Sequence, residues 1–371
     1  MNVPFNDFLA HYQAIKPEID GAIQRVLDSG WFILGPELEA FEAEFATYCG
    51  AQQSVGVASG TEALQIALLA LGIGPGDEVI TVSHTAVPTV AAIEMTGARP
   101  VLVDINPFTY TMNPQALDAA ITSRTRVVLP VHLYGQPADM DAIIAVSRRH
   151  ELAIVEDVAQ AVGAEYRGRQ VGVLGDIAAY SFYPTKNLGA FGDAGAIVTN
   201  DQALAEKARR LRNYGQAKRY HHQMKGMNSR LDEMQAAILR AKLPHLEGWN
   251  YARRERAGIY DRLLSSAQAG VQPPMEADWA RHVYHLYVVR TNRRDALQQH
   301  LADAGVSTLI HYPVPVHLQE AYVDLGLKRG TLPVTEVVAE QILSLPIYPE
   351  LTIEQVSYVA GQIRDFTRLK G

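Results

Sequence analysis

The stretch AYSFYPTKNLGAFGDAGA, residues 179–196, decides the fold. The apolar run around its start, Ala178–Phe182, reads as a strand buried on both faces, because it continues without polar alternation. A turn with Lys186 and glycines at 189, 192 and 195 follows, leading into a second apolar run, Gly195–Thr199. Towards lower numbers, short runs rich in Val, Ile and Ala recur at Ala153–Asp157, Thr125–Val131, Arg99–Val103, Glu78–Val82 and Ser54–Ala58. Helical patterns separate many of them. Thr61–Leu71 has apolar residues at 64, 67, 68 and 71, and Asp139–Arg149 and Leu204–Leu211 behave similarly. Strand, helix, strand in repetition builds a parallel sheet with right-handed crossovers. The expected class is α/β, with a seven-stranded, mostly parallel central sheet.

The flanks differ. Pro17–Asp28 and Glu37–Tyr48 are amphipathic, and Ser29-Gly30 makes a helix C-cap after the first. Leu231 to about Leu264 is mostly helical. One strand, Tyr284–Arg290, and helices at Arg294–Ala304, Val334–Leu343 and Thr352–Thr367 complete the reading. The expected division is a large unit, residues 1–245, and a smaller C-terminal α+β domain, residues 246–371.

Composition excludes several classes. Of 371 residues, 48% are hydrophobic and 20% charged, which is globular usage rather than disorder. A net charge of −7 argues against a nucleic-acid surface. No apolar run reaches the roughly 20 residues that span a bilayer. The opening MNVPFNDFLAHY lacks the basic and apolar regions of a signal peptide. Cys49 is the one cysteine, so no intrachain disulfide forms; it reads as a small buried residue at a helix end. A cytoplasmic protein fits all of this.

Gly72, Gly74 and Gly76 follow a helix and precede a strand, the reverse of a dinucleotide fingerprint, so they form a turn. Ala58-Ser-Gly-Thr-Glu-Ala-Leu opens a helix after the first strand. Its small residues suit a phosphate, or Ser59 or Thr61 is an ordinary N-cap. Asp157 ends a buried strand, where it either caps the next helix or pairs with a protonated ring nitrogen. Lys186, flanked by aromatic and small residues, is poorly hydrated, and desolvation makes an amine nucleophilic. An anion-binding helix start, a strand-end carboxylate and this lysine together suggest a pyridoxal phosphate site. Gly60, Thr61 and Ser181 would hold the phosphate, Asp157 the ring nitrogen, and Lys186 the cofactor covalently. Tyr220-His-His reads as a solvated or sugar-nucleotide-contacting loop rather than a metal pair, and no metal is expected.

Eight ordered motifs extend the reading: SGWFILGPELEAFEAEFATYCG (29–50), ASGTEAL, GPGDEVI (74–80), VEDVAQAVGA, SFYPTKNLGAFGDAGA, LRNYG (211–215), NSRLDEMQAAILRAKL (228–243) and IHYPVPVH (310–317). The chain resembles the DegT/DnrJ/EryC1/StrS family of pyridoxal-phosphate sugar aminotransferases over nearly its whole length. The resemblance implies an aspartate-aminotransferase-like (type I) fold and homodimers with shared active sites. It implies that Lys186 carries the cofactor, Asp157 binds the pyridine nitrogen, Gln160 contacts the ring hydroxyl and Ser181 binds phosphate. Asn228 would reach the phosphate in the neighbouring subunit, Arg230 and Glu233 would order that loop, and Tyr183 and Tyr312 either line the substrate side or simply pack.

The implied reaction moves an amino group from L-glutamate to a keto group of a nucleotide-linked sugar, with the motifs most similar to enzymes of dTDP-3-keto-6-deoxy sugars. A pyridoxamine-dependent sugar dehydratase of this fold has histidine in place of Lys186, and a regulatory relative need not keep the lysine. There is one departure. Many relatives carry a ring-stacking aromatic where this chain has Ala86, and His84 either stacks in its place or is a polar loop residue.

Overall fold

The computed structural model describes residues 1–265 and 270–368; the rest of the expected C-terminal unit, 266–269 and 369–371, lies outside the described residues. Three helices come first: α1 (Phe8–Ala14), α2 (Lys16–Ser29) and α3 (Pro36–Cys49). Gly30 ends α2 at φ 62°, as the Ser29-Gly30 signal requires. The sheet block follows with β1 (Gln53–Val57), α4 (Gly60–Ala70), β2 (Glu78–Val82), α5 (Val87–Glu94), β3 (Arg99–Val103), α6 (Pro114–Ala120), β4 (Thr125–Val128), α7 (Met140–Arg149) and β5 (Ala153–Asp157). Two short strands, β6 (Glu165–Tyr166) and β7 (Arg169–Gln170), precede β8 (Ile177–Ser181) and β9 (Gly195–Thr199). Then come α8 (Gln202–Leu211), β10 (Gln216–Lys218), β11 (His221–His222), α9 (Glu233–Lys242) and α10 (Leu246–Leu264). The remainder is β12 (Ala280–Arg281), β13 (Tyr287–Arg290), α11 (Arg294–Asp303), α12 (Pro333–Gln341), β14 (Ile342–Leu345) and α13 (Ile353–Arg368).

All seven expected strands form one sheet, in the order β1-β9-β8-β5-β4-β2-β3. Six point the same way, and β9 is antiparallel to both of its neighbours. A parallel return needs a crossover, usually a helix. The link between β8 and β9 has no helix, so the chain doubles back and leaves Lys186 on an irregular loop.

Strand β8 sets the two faces. Side chains alternate along a strand, so Tyr180 and Phe182 point opposite to Ser181. The first two meet α3: Phe45 lies 5.1 Å edge-on from both rings, and Phe41 lies 5.5 Å from Phe182. Ser181 faces α4, which packs there because it is buried almost all round, at Ala63, Leu64, Ile66, Ala67, Leu68 and Ala70. The glycines at 72 and 76 turn the chain between α4 and β2 with φ 86° and 97°.

A second core gathers around the antiparallel pair of β13 and β14, under α10, α11 and α13. Val3 joins it and bridges to Val306. The helix expected over Val334–Leu343 stops at Gln341, and Ile342–Leu345 is a strand paired with Tyr287–Arg290. Short apolar runs are ambiguous in sequence, and here the partner strand decides. The expected strand Tyr284–Arg290 correspondingly begins at Tyr287. Among the described residues, no helix is long and apolar enough to cross a membrane.

Phe45 is fully buried between α3 and the sheet. Phe45→Ala should lower unfolding free energy by about 3–5 kcal/mol, measured by urea denaturation with an unchanged slope.

Candidate active site

A cavity of about 210 Å³ lies where β5 and β8 end and α4 begins. It brings together Gly60, Thr61, Asp157, Gln160, Ser181, Tyr183 and Lys186. The position follows from topology, because ligands of open α/β sheets sit beyond the carboxyl ends of the strands.

One wall is the start of α4. Ser59 caps this helix, its hydroxyl accepting from Glu62 N at 3.2 Å. The preceding N–H groups, of Gly60 and Thr61, have no intrahelical partner. The helix start also comes very close to the sheet. A Cβ on Gly60 would lie 2.6 Å from Ser181 Cβ, and one on Gly195 would lie 2.5 Å from the Ser59 carbonyl carbon. Only glycine fits at either place, so backbone N–H groups and the Ser181 hydroxyl form one concave anion cradle.

Opposite stands Asp157, 3% exposed. Its Oδ1 accepts from Ala159 N at 3.0 Å, and its Oδ2 accepts from the Thr89 hydroxyl at 2.9 Å. Since Thr89 spends its hydrogen there, Thr85 must donate its own to Thr89, 2.8 Å away. Burial raises the Asp157 pKa; the two hydrogen bonds and the Lys186 and His132 charges oppose the rise. Burial lowers Lys186 to about 8, although the Asp157 charge pulls the other way. The pair is therefore a buried carboxyl held by two donors beside an amine that gives up its proton more readily than an ordinary lysine.

Gln160 is held by its surroundings. Its Oε1 accepts from Tyr134 N at 2.8 Å, so its Nε2 faces Tyr312 and donates to that hydroxyl at 3.0 Å. Tyr183 lines the cavity and is half exposed. Asn228 stands apart in its own chain, exposed and bridged to Asn213. Glu233 is 1% exposed and accepts from Gly35 N, Glu37 N and Leu38 N at 2.8, 2.8 and 3.1 Å, which satisfies the open start of α3. Arg230 lies over the Tyr214 ring at 5.8 Å.

Of the two readings of His84, stacking does not fit its placement. Ala86 lines the cavity, but His84 is 1% exposed and bonded to the Tyr134 hydroxyl at 2.8 Å, behind the wall. Burial against Tyr110 and Tyr134 draws the imidazole inward, away from the cavity. The sequence reading missed Thr85 and Thr89. Their spacing of four at the start of α5 was the available signal. His221 and His222 lie exposed on the hairpin, His222 against the Tyr214 carbonyl. Cys49 is buried at the end of α3.

Pyridoxal phosphate needs an anion cradle, a carboxylate for its ring nitrogen and an amine for its aldehyde carbon. The cavity has all three, and the absence of a Cβ at Gly60 and Gly195 lets the start of α4 close onto the Ser181 hydroxyl to form the cradle. Comparison with known proteins agrees. The chain is 53% identical to the "dTDP-3-amino-3,4,6-trideoxy-alpha-D-glucose transaminase" of Streptomyces venezuelae, covering 98% of this chain and 96% of that protein. It is also 53% identical to the "Erythromycin biosynthesis sensory transduction protein EryC1" of Saccharopolyspora erythraea, covering 98% and 99%. The crystal structure of S. venezuelae DesV in complex with a ketimine intermediate superposes with a TM-score of 0.97, covering 99% of this chain and 98% of that one at 53% identity. The pattern of the DegT/DnrJ/EryC1/StrS aminotransferase family matches residues 13–364; the chain belongs to that family and is a pyridoxal-phosphate-dependent aminotransferase.

Proposed function

We propose that this aminotransferase takes its amino group from L-glutamate and delivers it to the keto group of a nucleotide-linked sugar, a dTDP-3-keto-6-deoxy sugar, in the cytoplasm. The observation that carries the reading is the convergence of Lys186, Asp157 and the Gly60–Ser181 cradle on one cavity. The sugar class rests on relatives named as transaminases of dTDP-3-amino sugars. When bound, the cofactor supplies an electron sink. Asp157 keeps its ring nitrogen protonated, Gln160 meets the ring hydroxyl, and Gly60, Thr61 and Ser181 hold its phosphate. Lys186 carries the cofactor and, once displaced, its Nζ takes and returns the proton that moves between cofactor and substrate carbons. Tyr183 and Tyr312 contact the sugar. Asn228 completes the partner's phosphate site in a homodimer. The exposed apolar Trp31, Phe32 and Ile33 support an interface there, because Ile33 bridges to Asp232, close to Asn228 along the chain.

The test of function is a panel of nucleotide-linked keto sugars incubated with L-glutamate. The expected product is an amino sugar nucleotide with stoichiometric 2-oxoglutarate, and Lys186→Ala should give neither. A donor other than glutamate, or no amination of any sugar in the panel, would reject the reading.

The Lys186 amine attacks only as the free base. Capture of added cofactor by the cofactor-free protein should therefore rise with pH about a midpoint near 8, far below the ordinary lysine value of 10.5. Stopped-flow absorbance across pH 6–10 reads that midpoint.

Shared sites predict complementation. Lys186→Ala and Asn228→Asp should each be inactive, the second because its charge repels the phosphate. A mixed dimer has one site with both defects and one with neither. Mixing should restore roughly a quarter of parent activity if half of the dimers are mixed. Subunit exchange without recovery would place Asn228 in its own chain's site.

A further inference from the structure

His84 and Tyr134 join His311 and Tyr312 in a directed hydrogen-bond chain that reaches the cavity at Gln160. His84 lies in the loop after β2, Tyr134 in the turn after β4, and His311 and Tyr312 in the segment between α11 and α12. The Tyr134 hydroxyl donates to the His311 carbonyl. A hydroxyl has one hydrogen, so at its second bond, 2.8 Å from His84 Nε2, it must accept. His84 is then fixed as the tautomer with hydrogen on Nε2. Burial agrees, lowering the pKa of this imidazole to about 4 and keeping it neutral.

The backbone of the same tyrosine orients the cavity wall. Tyr134 has φ 61°, uncommon for a residue other than glycine, and in this conformation its N–H meets Gln160 Oε1 at 2.8 Å. A backbone N–H only donates, so the amide of Gln160 has one possible orientation, with its NH₂ group towards Tyr312. The Tyr312 oxygen accepts from it at 3.0 Å, and this leaves the phenolic hydrogen free for another acceptor. Tyr134 thus holds both ends of the arrangement, Gln160 through its backbone and Tyr312 through the neighbouring His311 carbonyl. The rings of His84, Tyr110 and Tyr134 pack edge-on with centroids 5.9–6.2 Å apart, which leaves the imidazole little freedom to turn. Gln160 lines the cavity, whereas His84, Tyr134 and Tyr312 are not among its lining residues.

We infer that His84 and Tyr134 are positioning residues, which hold the Gln160 amide and the Tyr312 phenol in one orientation beside the cofactor, with the Tyr312 hydrogen available for donation. The inference rests on the cofactor cavity described above and is independent of the amino donor and of the sugar.

The test uses cofactor-loaded protein and two readouts, the absorption maximum of the bound cofactor and its dissociation constant by equilibrium dialysis. Neither needs a donor or a sugar, so failure here leaves the proposed reaction untouched. His84→Met removes the N–H at similar volume, and His84→Gln keeps an amide N–H at similar reach. His84→Met should weaken cofactor binding about tenfold and move the absorption maximum in the same direction as Tyr312→Phe. His84→Gln should stay within about twofold of the parent. In a Tyr312→Phe background, His84→Met should add little, because coupled residues are not additive. If His84→Met does not fold, Tyr134→Phe removes the same hydroxyl with little change in shape, and the same results are expected of it. A variant that lowers only the melting temperature, or one whose effect is undiminished in the Tyr312→Phe background, overturns the inference.

Discussion

The site depends on how closely one helix can approach one strand. The start of α4 touches the end of β8 with no room for a Cβ at residue 60, and Gly195 admits the Ser59 carbonyl from the neighbouring strand. This contact brings the open N–H groups of the helix and the Ser181 hydroxyl to the same point. The alternation of β8 then does the rest. With Ser181 turned towards α4, Tyr180 and Phe182 must turn towards α3, where Phe41 and Phe45 receive them. Site and core are thus two faces of one strand, and neither can shift register alone.

The second constraint is electrostatic. Asp157 and Lys186 are both desolvated, and each limits the other's shift. Two hydrogen bonds and a neighbouring cation oppose the rise that burial imposes on the Asp157 carboxyl. The lysine, having only that carboxylate for compensation, is left with a weakened hold on its own proton. The Thr85–Thr89 relay matters for the same reason. It occupies one oxygen of Asp157 with a donor and so fixes the direction in which the carboxylate accepts.

The sheet was legible because parallel strands are buried on both faces and read as unbroken apolar runs. The strand ends were legible too, which is why Asp157 and Ser181 could be assigned to one edge. Lys186 stood out because it lies between a strand and a glycine-rich turn, flanked by aromatic and small residues. What could not be read depended on partners distant in sequence. Ile342–Leu345 became a strand only by pairing with Tyr287–Arg290. The two-residue strands β6, β7 and β12 are too short for any periodicity, and Tyr166 pairs with Ala280 from far along the chain. Whether His84 stacks could not be read because its direction is set by Tyr110 and Tyr134, neither of which its own loop reveals.

The bridge from Val3 to Val306 has a consequence for the order in which the molecule can form. The core around β13 and β14 includes Val3 and also Ile363, which come from almost opposite extremes of the sequence. The strands of the sheet come from a continuous stretch, β1 to β9, while the core packed on them also takes in Leu239, Leu246, Val288 and Ile342 from later in the chain. The other core cannot close until Ile363 has left the ribosome, and Val3 must wait, unsatisfied, throughout elongation. Contacts of such long sequence separation form slowly. Seating Val3 against Val306 is therefore a late step in biogenesis.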